Sequence, residues 1–212
     1  MEIENAQIQR RRILLQGVIQ GVGLRPFVYR EAKQNGLSGL VLDNSTGVKI
    51  EVEGIPQKIE DFIRSLQDSP PVLARIDEIV VEPIPPQGDK EFIIETSQQG
   101  EEQQVMISPD TATCSECLQE LFDPNDRRYH YPFINCTNCG PRFSIVQDAP
   151  YDRSKTTMAS FIMCSACAAE YSNPLDRRFH AQPIACLRCG PDIYLLNRKG
   201  EKSKQTDRKS VV

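Results

Sequence analysis

The sequence predicts an α+β protein in two parts, a ferredoxin-like α/β sandwich followed by a small domain organised by cysteine. Three observations carry that expectation. Strand-like and helix-like patterns follow one another as β-α-β-β-α-β over residues 8 to 96. All eight cysteines lie beyond residue 113. The cysteine-bearing half repeats itself at an offset of fifty residues. The step in composition is a domain boundary. It places the first domain at 8–96, a polar linker at 97–113, the cysteine domain at 114–192 and a disordered tail at 193–212.

Each element of the first domain has its own signature. "RILLQGVI" at 12–19 is rich in aliphatic and β-branched residues and runs straight into glycines, as a strand feeding a loop does. "FVYREAKQNG" carries helix formers and stops on Asn35-Gly36. "SGLVL" and "GVKIEVEG" read as two strands joined by the turn "DNSTG". In the second of them, Val48, Ile50 and Val52 alternate with Lys49, Glu51 and Glu53, the period of a half-buried strand. Ile59, Phe62, Ile63 and Leu66 share one helical face of "PQKIEDFIRSL". "ARIDEIVVE" and "EFIIE" supply two more strands, the second at an edge. In the linker, the apolar "VMI" is a candidate for pairing with an unspecified partner.

Composition excludes several function classes. With 212 residues and 39% hydrophobic content the chain can bury a core. No apolar run is long enough for a membrane span and "MEIENAQIQRRR" lacks a secretory core, so the expected setting is cytoplasmic. The net charge is −4; residues 1–96 carry 11 basic and 15 acidic groups and residues 114–189 carry 8 of each. That balance argues against a nucleic-acid partner.

The loop "GVIQGVGLRPFVYR" at 17–30 is the first place where the pattern calls for a ligand. It fails as a dinucleotide fingerprint, because Pro26 stands where a third glycine is needed, and it contains no Walker triplet. What remains is simpler physics. Glycines let successive N–H groups face one concavity, and a helix start behind them favours an anion. Pro26 suits the first turn of that helix, and Arg25 at the rim can grip phosphate or carboxylate with two parallel hydrogen bonds. The expected cradle is Gln20, Gly21, Val22, Gly23, Leu24 and Arg25.

The stretch "GVIQGVGLRPFV" resembles the signature of the acylphosphatases, over residues 8 to 96. The resemblance implies that the loop amides and Arg25 hold the phosphate of an acyl phosphate while an asparagine orients the attacking water. Counting from Gly39 to Gly47, the family's asparagine falls on Asp43, with Asn44 one place later. An acidic side chain there repels a dianion, and a one-residue shift turns a strand side chain to the opposite face. The expected catalytic pair is therefore Arg25 and Asn44, the turn having slipped by one.

Four Cys-x-x-Cys pairs follow: Cys114 and Cys117, Cys136 and Cys139, Cys164 and Cys167, Cys186 and Cys189. The copies at 114–139 and 164–189 share every cysteine, the Asp-Arg-Arg runs, His130 and His180, and the Gly-Pro endings. Each holds C-x2-C-x18-C-x2-C, the pattern of a structural four-cysteine zinc site, so two zinc ions are expected. A complete set within each copy favours binding within rather than across copies, although interleaved pairing is the alternative. With four thiolates present, the two histidines are not expected as ligands, and the mixed-sign "DRRYH" and "DRRFH" runs read as solvated turns.

Taken together, the two halves resemble the N-terminal region of the HypF family, the carbamoyltransferases that mature NiFe-hydrogenases, over residues 8 to about 192. The resemblance implies acylphosphatase-type hydrolysis or binding of carbamoyl phosphate. It also implies, through later domains not present in this sequence, transfer of the carbamoyl group to the C-terminal cysteine of a hydrogenase maturation partner. Two competing expectations are a structural fragment disabled at Asp43 and a zinc-ribbon module for nucleic acid.

Overall fold

A computed structural model of the chain describes residues 8–44, 46–96 and 106–202. The first domain runs β1 (Gln9–Val18), α1 (Leu24–Gln34), β2 (Ser38–Asn44), β3 (Gly47–Gly54), α2 (Pro56–Asp68), β4 (Arg75–Ile84) and β5 (Phe92–Ile94). The strands form one sheet in the order β4-β1-β3-β2-β5. β1 lies antiparallel to β3 and β4, and β2 antiparallel to β3; β5 adds a parallel edge to β2. This is the ferredoxin-like order with one extra strand. Ile13, Leu15, Val41, Ile50 and Val52 from the sheet meet Val28 and Ala32 of α1 and Ile59, Phe62 and Leu66 of α2 in a single core. The apolar face read from 56–66 is the buried face of α2.

The polar face of β3 departs from simple alternation. Glu51 and Glu53 are both buried, because Arg10 on β1 lies across them, 2.9 Å from Glu51 Oε2 and 3.0 Å from Glu53 Oε2. Asp89 also accepts from Arg10, at 2.6 Å, and Glu53 takes the backbone N–H groups of Gln87 and Gly88. Burial would raise the Glu53 carboxyl, but these N–H groups and Arg10 hold it below its ordinary range. Removing one partner of such a cluster leaves uncompensated charge. Arg10→Ala is expected to cost about 3 kcal/mol in urea unfolding, more than truncation of the exposed Arg64.

The second domain has little regular structure: α3 (Ser115–Phe122) and α4 (Ser165–Ser172), each starting just after the first cysteine of its set, and short 3-10 turns. Its apolar clusters are small and include the cysteines themselves, so they supply a core only in combination with the metal-binding groups. The two halves are not separate bodies on a string. Ile107, from the apolar "VMI" of the linker, bridges to Gln20 as a parallel pair; Val105 and the rest of 97–105 lie outside the described residues, as do 203–212. Within 193–202, expected as part of the tail, Leu196 bridges to Lys202.

Candidate anion site and metal centres

The glycine loop adopts the conformation its composition allows. Gly21 and Gly23 have φ of 72° and 82°, left-handed values that would strain a side chain. Gly23 is the N-cap of α1 and, as a glycine, offers no capping side chain. A helix start leaves its first N–H groups without intrahelical partners, and this one contributes Gly23, Leu24 and Arg25 to the wall of the cleft. Gln20 secures the loop from below, its amide donating to the Asn44 and Gly47 carbonyls at 3.0 and 3.1 Å. The cleft in front is lined by Gly21, Gly23 and Arg25, by Asp43 from β2, and by Thr137 and His180 from the cysteine domain.

Arg25 is buried and sits between two carboxylates: Nε lies 3.0 Å from Asp43 Oδ2, and Nη2 donates to Asp152 Oδ1 at 3.1 Å. Burial pulls its pKa down, but Asp43 and Asp152 more than offset this and leave it above its ordinary value. Asp43 is the reverse case. Its side chain is 1% exposed, and neither oxygen finds a well-aligned hydrogen bond among the described residues. Burial pushes its carboxyl up to about 7, against the pull of Arg25 and with a further push from Asp152. His180 is neutral near pH 7, held down to about 4 by burial and by Arg25.

The structure brings Arg25 and the Gln20–Arg25 loop together, but Asn44 does not join them. Its Oδ1 accepts from the Thr46 and Gly47 backbone N–H groups at 3.1 and 2.8 Å, closing the β2–β3 turn. The pairing of Asp43 with Val48 and Asn44 with Gly47 leaves no slip in register. Asp43 is thus the residue that faces Arg25. Asp152 and His180 were not legible as partners of this loop, since over 100 residues separate them from Arg25 in the sequence.

The cysteine domain packs directly on the loop. A Cβ at Gly21 would come within 2.8 Å of both Pro141 and the Tyr151 ring. Tyr151 N–H donates to Gln20 Oε1 at 2.9 Å.

The eight cysteines form two sets, each within one repeat: Cys114, Cys117, Cys136 and Cys139, then Cys164, Cys167, Cys186 and Cys189. Within each set all Sγ atoms lie within 4.8 Å of one another, and the neighbouring pairs are separated by 3.6 to 3.8 Å. Four sulfurs at about 2.3 Å from a tetrahedral zinc are about 3.8 Å apart. The thiols fit zinc without rearrangement, and His130 and His180 belong to neither set. Both histidines take left-handed φ, 56° and 55°, and stack on Tyr129 and Tyr171 respectively.

Although the ligands stay within each repeat, the repeats are not self-sufficient. The Asp-Arg-Arg runs, expected as solvated turns, cross to the other copy. Arg127 Nη1 donates to Cys167 Sγ at 3.2 Å, and Arg128 Nε donates to the Ala185 carbonyl at 3.0 Å. In mirror image, Arg177 Nη1 donates to Cys117 Sγ at 2.9 Å and Arg178 Nε to the Asn135 carbonyl at 2.9 Å. Glu170 and Glu120 each bind the opposing arginine pair. Burial would raise Glu170, but the hydrogen bonds from Arg128 and Arg127 hold it down to about 2. Arg128 and Arg178 are each 2% exposed, so they are interior groups rather than a surface for an anionic partner. Tandem duplication explains the symmetry, and the fold uses it to neutralise the thiolates of each copy with cations of the other.

Comparison with known proteins agrees with this architecture. The acylphosphatase family pattern matches residues 11–94, and the HypF finger pattern matches 113–146 and again 163–196. Acylphosphatase of Caldivirga maquilingensis is 37% identical over 76 residues, 79% of its length and 35% of this chain. The probable carbamoyltransferase HypF of Methanocaldococcus jannaschii is 49% identical over 146 residues, 67% of this chain and 19% of that protein. The chain belongs to the HypF family. A full-length HypF solved in a phosphate- and nucleotide-bound form superposes with a TM-score of 0.88 at 51% identity, covering 92% of this chain and 26% of that one. HypF from T. kodakarensis gives 0.82 at 49%, covering 95% and 26%. The chain thus spans about a fifth of the length of the curated relatives it matches, or about a quarter of the solved chains. Among the described residues no helix is long and apolar enough to cross a membrane.

Proposed function

We propose that this HypF segment binds an acyl phosphate, carbamoyl phosphate above all, through the Gln20–Arg25 cradle and hydrolyses it. The observation that carries this reading is the buried Arg25 guanidinium beside the glycine-capped start of α1 and two left-handed glycines. The phosphoryl oxygens lie against the loop amides and Arg25. Water adds to phosphorus, the bond from phosphorus to the acyl oxygen breaks, and its electron pair leaves with carbamate. The water's proton is released, directly or through phosphate, to solvent. A mixed anhydride has a good leaving group, so positioning and charge neutralisation suffice without a strong base.

The role expected of Asn44 passes to Asp43 in its neutral form. A protonated carboxyl offers one donor and one acceptor, the same pair an amide offers, and it does not repel the phosphate. This makes the site pH-dependent with a definite sign. Below pH 7 Asp43 is neutral and the anion binds well; as pH rises through about 7 it ionises and binding weakens. Among the groups lining the cleft, Arg25 stays charged and His180, with its pKa near 4, stays neutral across that window. Sulfate, which does not titrate there, is the suitable probe. Its affinity should fall roughly ten-fold per pH unit above 7, and Asp43→Asn should flatten the profile and raise phosphate release from carbamoyl phosphate. A profile unchanged by Asp43→Asn would count against this assignment.

In the longer relatives named carbamoyltransferase, the same hydrolysis would serve the transfer step. We place the hydrogenase maturation partner there, at a carbamoyl acceptor reached only through the full-length protein. The metal domain's part is structural: it holds a rigid wall against the anion loop.

A further inference from the structure

Arg25 carries one positive charge and already faces two carboxylates, Asp43 at 3.0 Å and Asp152 at 3.1 Å. A phosphate arriving at the same guanidinium competes for the N–H donor that Asp152 now holds, and it adds an anion beside the Asp152 carboxylate. The two carboxylates are not equivalent. Asp43 is 1% exposed and fixed in β2 by its register with Val48. Asp152 is 23% exposed, and among the described residues its carboxylate pairs with Arg25.

The backbone around Asp152 is nonetheless held firmly. Tyr151 N–H is tied to Gln20, and Arg153 N–H donates to Gln182 Oε1 at 2.8 Å. Arg153 also reaches the carbonyls of Gln182, Ile184 and Phe161 at 2.7 to 2.9 Å. A side-chain rotation can therefore release Arg25 without moving the segment.

We propose that Asp152 is a substrate-site residue supplied by the metal domain: its carboxylate occupies Arg25 in the empty site and gives way to the phosphate of the acyl phosphate. The site is then built from both domains, and the Arg153–Gln182 contacts join the phosphate position to the His180–Pro183 loop of the second repeat. This rests on the reading that Arg25 is the phosphate ligand. It adds that the empty cradle is held shut by an internal anion, which lowers apparent affinity by the fraction of molecules in which Arg25 is free.

The test measures inorganic phosphate binding by calorimetry on the zinc-loaded chain. Asp152→Asn and Asp152→Ala are expected to tighten binding roughly ten-fold, the scale of one charge-assisted hydrogen bond. Asp152→Glu, which keeps the competing charge, is expected to bind closer to the parent than to Asp152→Asn. Two zinc ions per chain in each variant confirm an intact fold. Unchanged or weaker binding in both Asp152→Asn and Asp152→Ala overturns the inference and makes Asp152 a positioning residue for Arg25. If Arg25→Ala binds phosphate as well as the parent, the underlying phosphate reading fails instead. A phosphate-soaked crystal gives an independent answer. Phosphate on Arg25 with Asp152 moved off supports the exchange, and phosphate on Arg25 with Asp152 still at hydrogen-bond distance overturns it.

Discussion

Arg25→Ala is expected to reduce phosphate release from carbamoyl phosphate at least about a thousand-fold. Loss of one preorganised donor to a developing oxyanion usually costs a hundred- to a thousand-fold. Here the loss is compounded, because Asp43 and Asp152 remain within the cleft with no cation between them. The local charge changes from roughly balanced to repulsive toward a dianion. Arg25→Lys should fall between the two, since a point charge replaces a planar fork. Because Arg25 belongs to neither cysteine set, the zinc content of these variants should stay at two per chain. Release measured with a phosphate dye, alongside zinc content, separates a catalytic loss from a folding loss. A variant that kept parental turnover would remove the basis for the site.

The second large effect is a crossed one. The double substitution Arg177→Gln with Arg178→Gln lies in the second repeat, yet it is expected to release zinc from the first. Those arginines donate to Cys117 Sγ at 2.9 and 3.8 Å and bind Glu120, whereas the second set receives its donors from Arg127 and Arg128. Four thiolates on a divalent ion leave a net charge of about −2, and removing the nearest cations raises the cost of burying it. Substitutions of groups hydrogen-bonded to metal ligands typically lower affinity 10- to 100-fold each, so roughly 100-fold or more is expected for the pair. Cysteine alkylation mapped by mass spectrometry under chelator challenge should mark Cys114, Cys117, Cys136 and Cys139 first. The mirror variant, Arg127→Gln with Arg128→Gln, should expose Cys164, Cys167, Cys186 and Cys189 instead. Exposure of the cysteines in the mutated repeat itself would show that each unit is independent after all.

Local patterns settled a good deal without any structure. Period-two alternation at 48–53 and the helical face at 59–66 identify β3 and α2, because strands and helices bury every second residue or one stripe. The loop at 20–25 was legible because left-handed backbone next to a helix start leaves glycines and a proline in the sequence. The four-cysteine sets were legible because zinc geometry dictates a short loop for each Cys-x-x-Cys pair.

Side-chain direction and long-range pairing were not legible. Asp43 and Asn44 are adjacent and both polar, and only the β2–β3 register decides that Asp43 turns toward Arg25 while Asn44 closes the turn. Glu51 and Glu53 look solvated until Arg10 is laid across them. By itself, then, the sequence determined the order of elements, the glycine loop before α1 and the two cysteine sets, all of which depend on spacing along the chain. Only the tertiary structure decided that Asp152 shares Arg25 and that each arginine pair serves the other repeat's thiolates. Those contacts span 39 to 127 residues and exist only because docking desolvates charges that must then find partners of opposite sign.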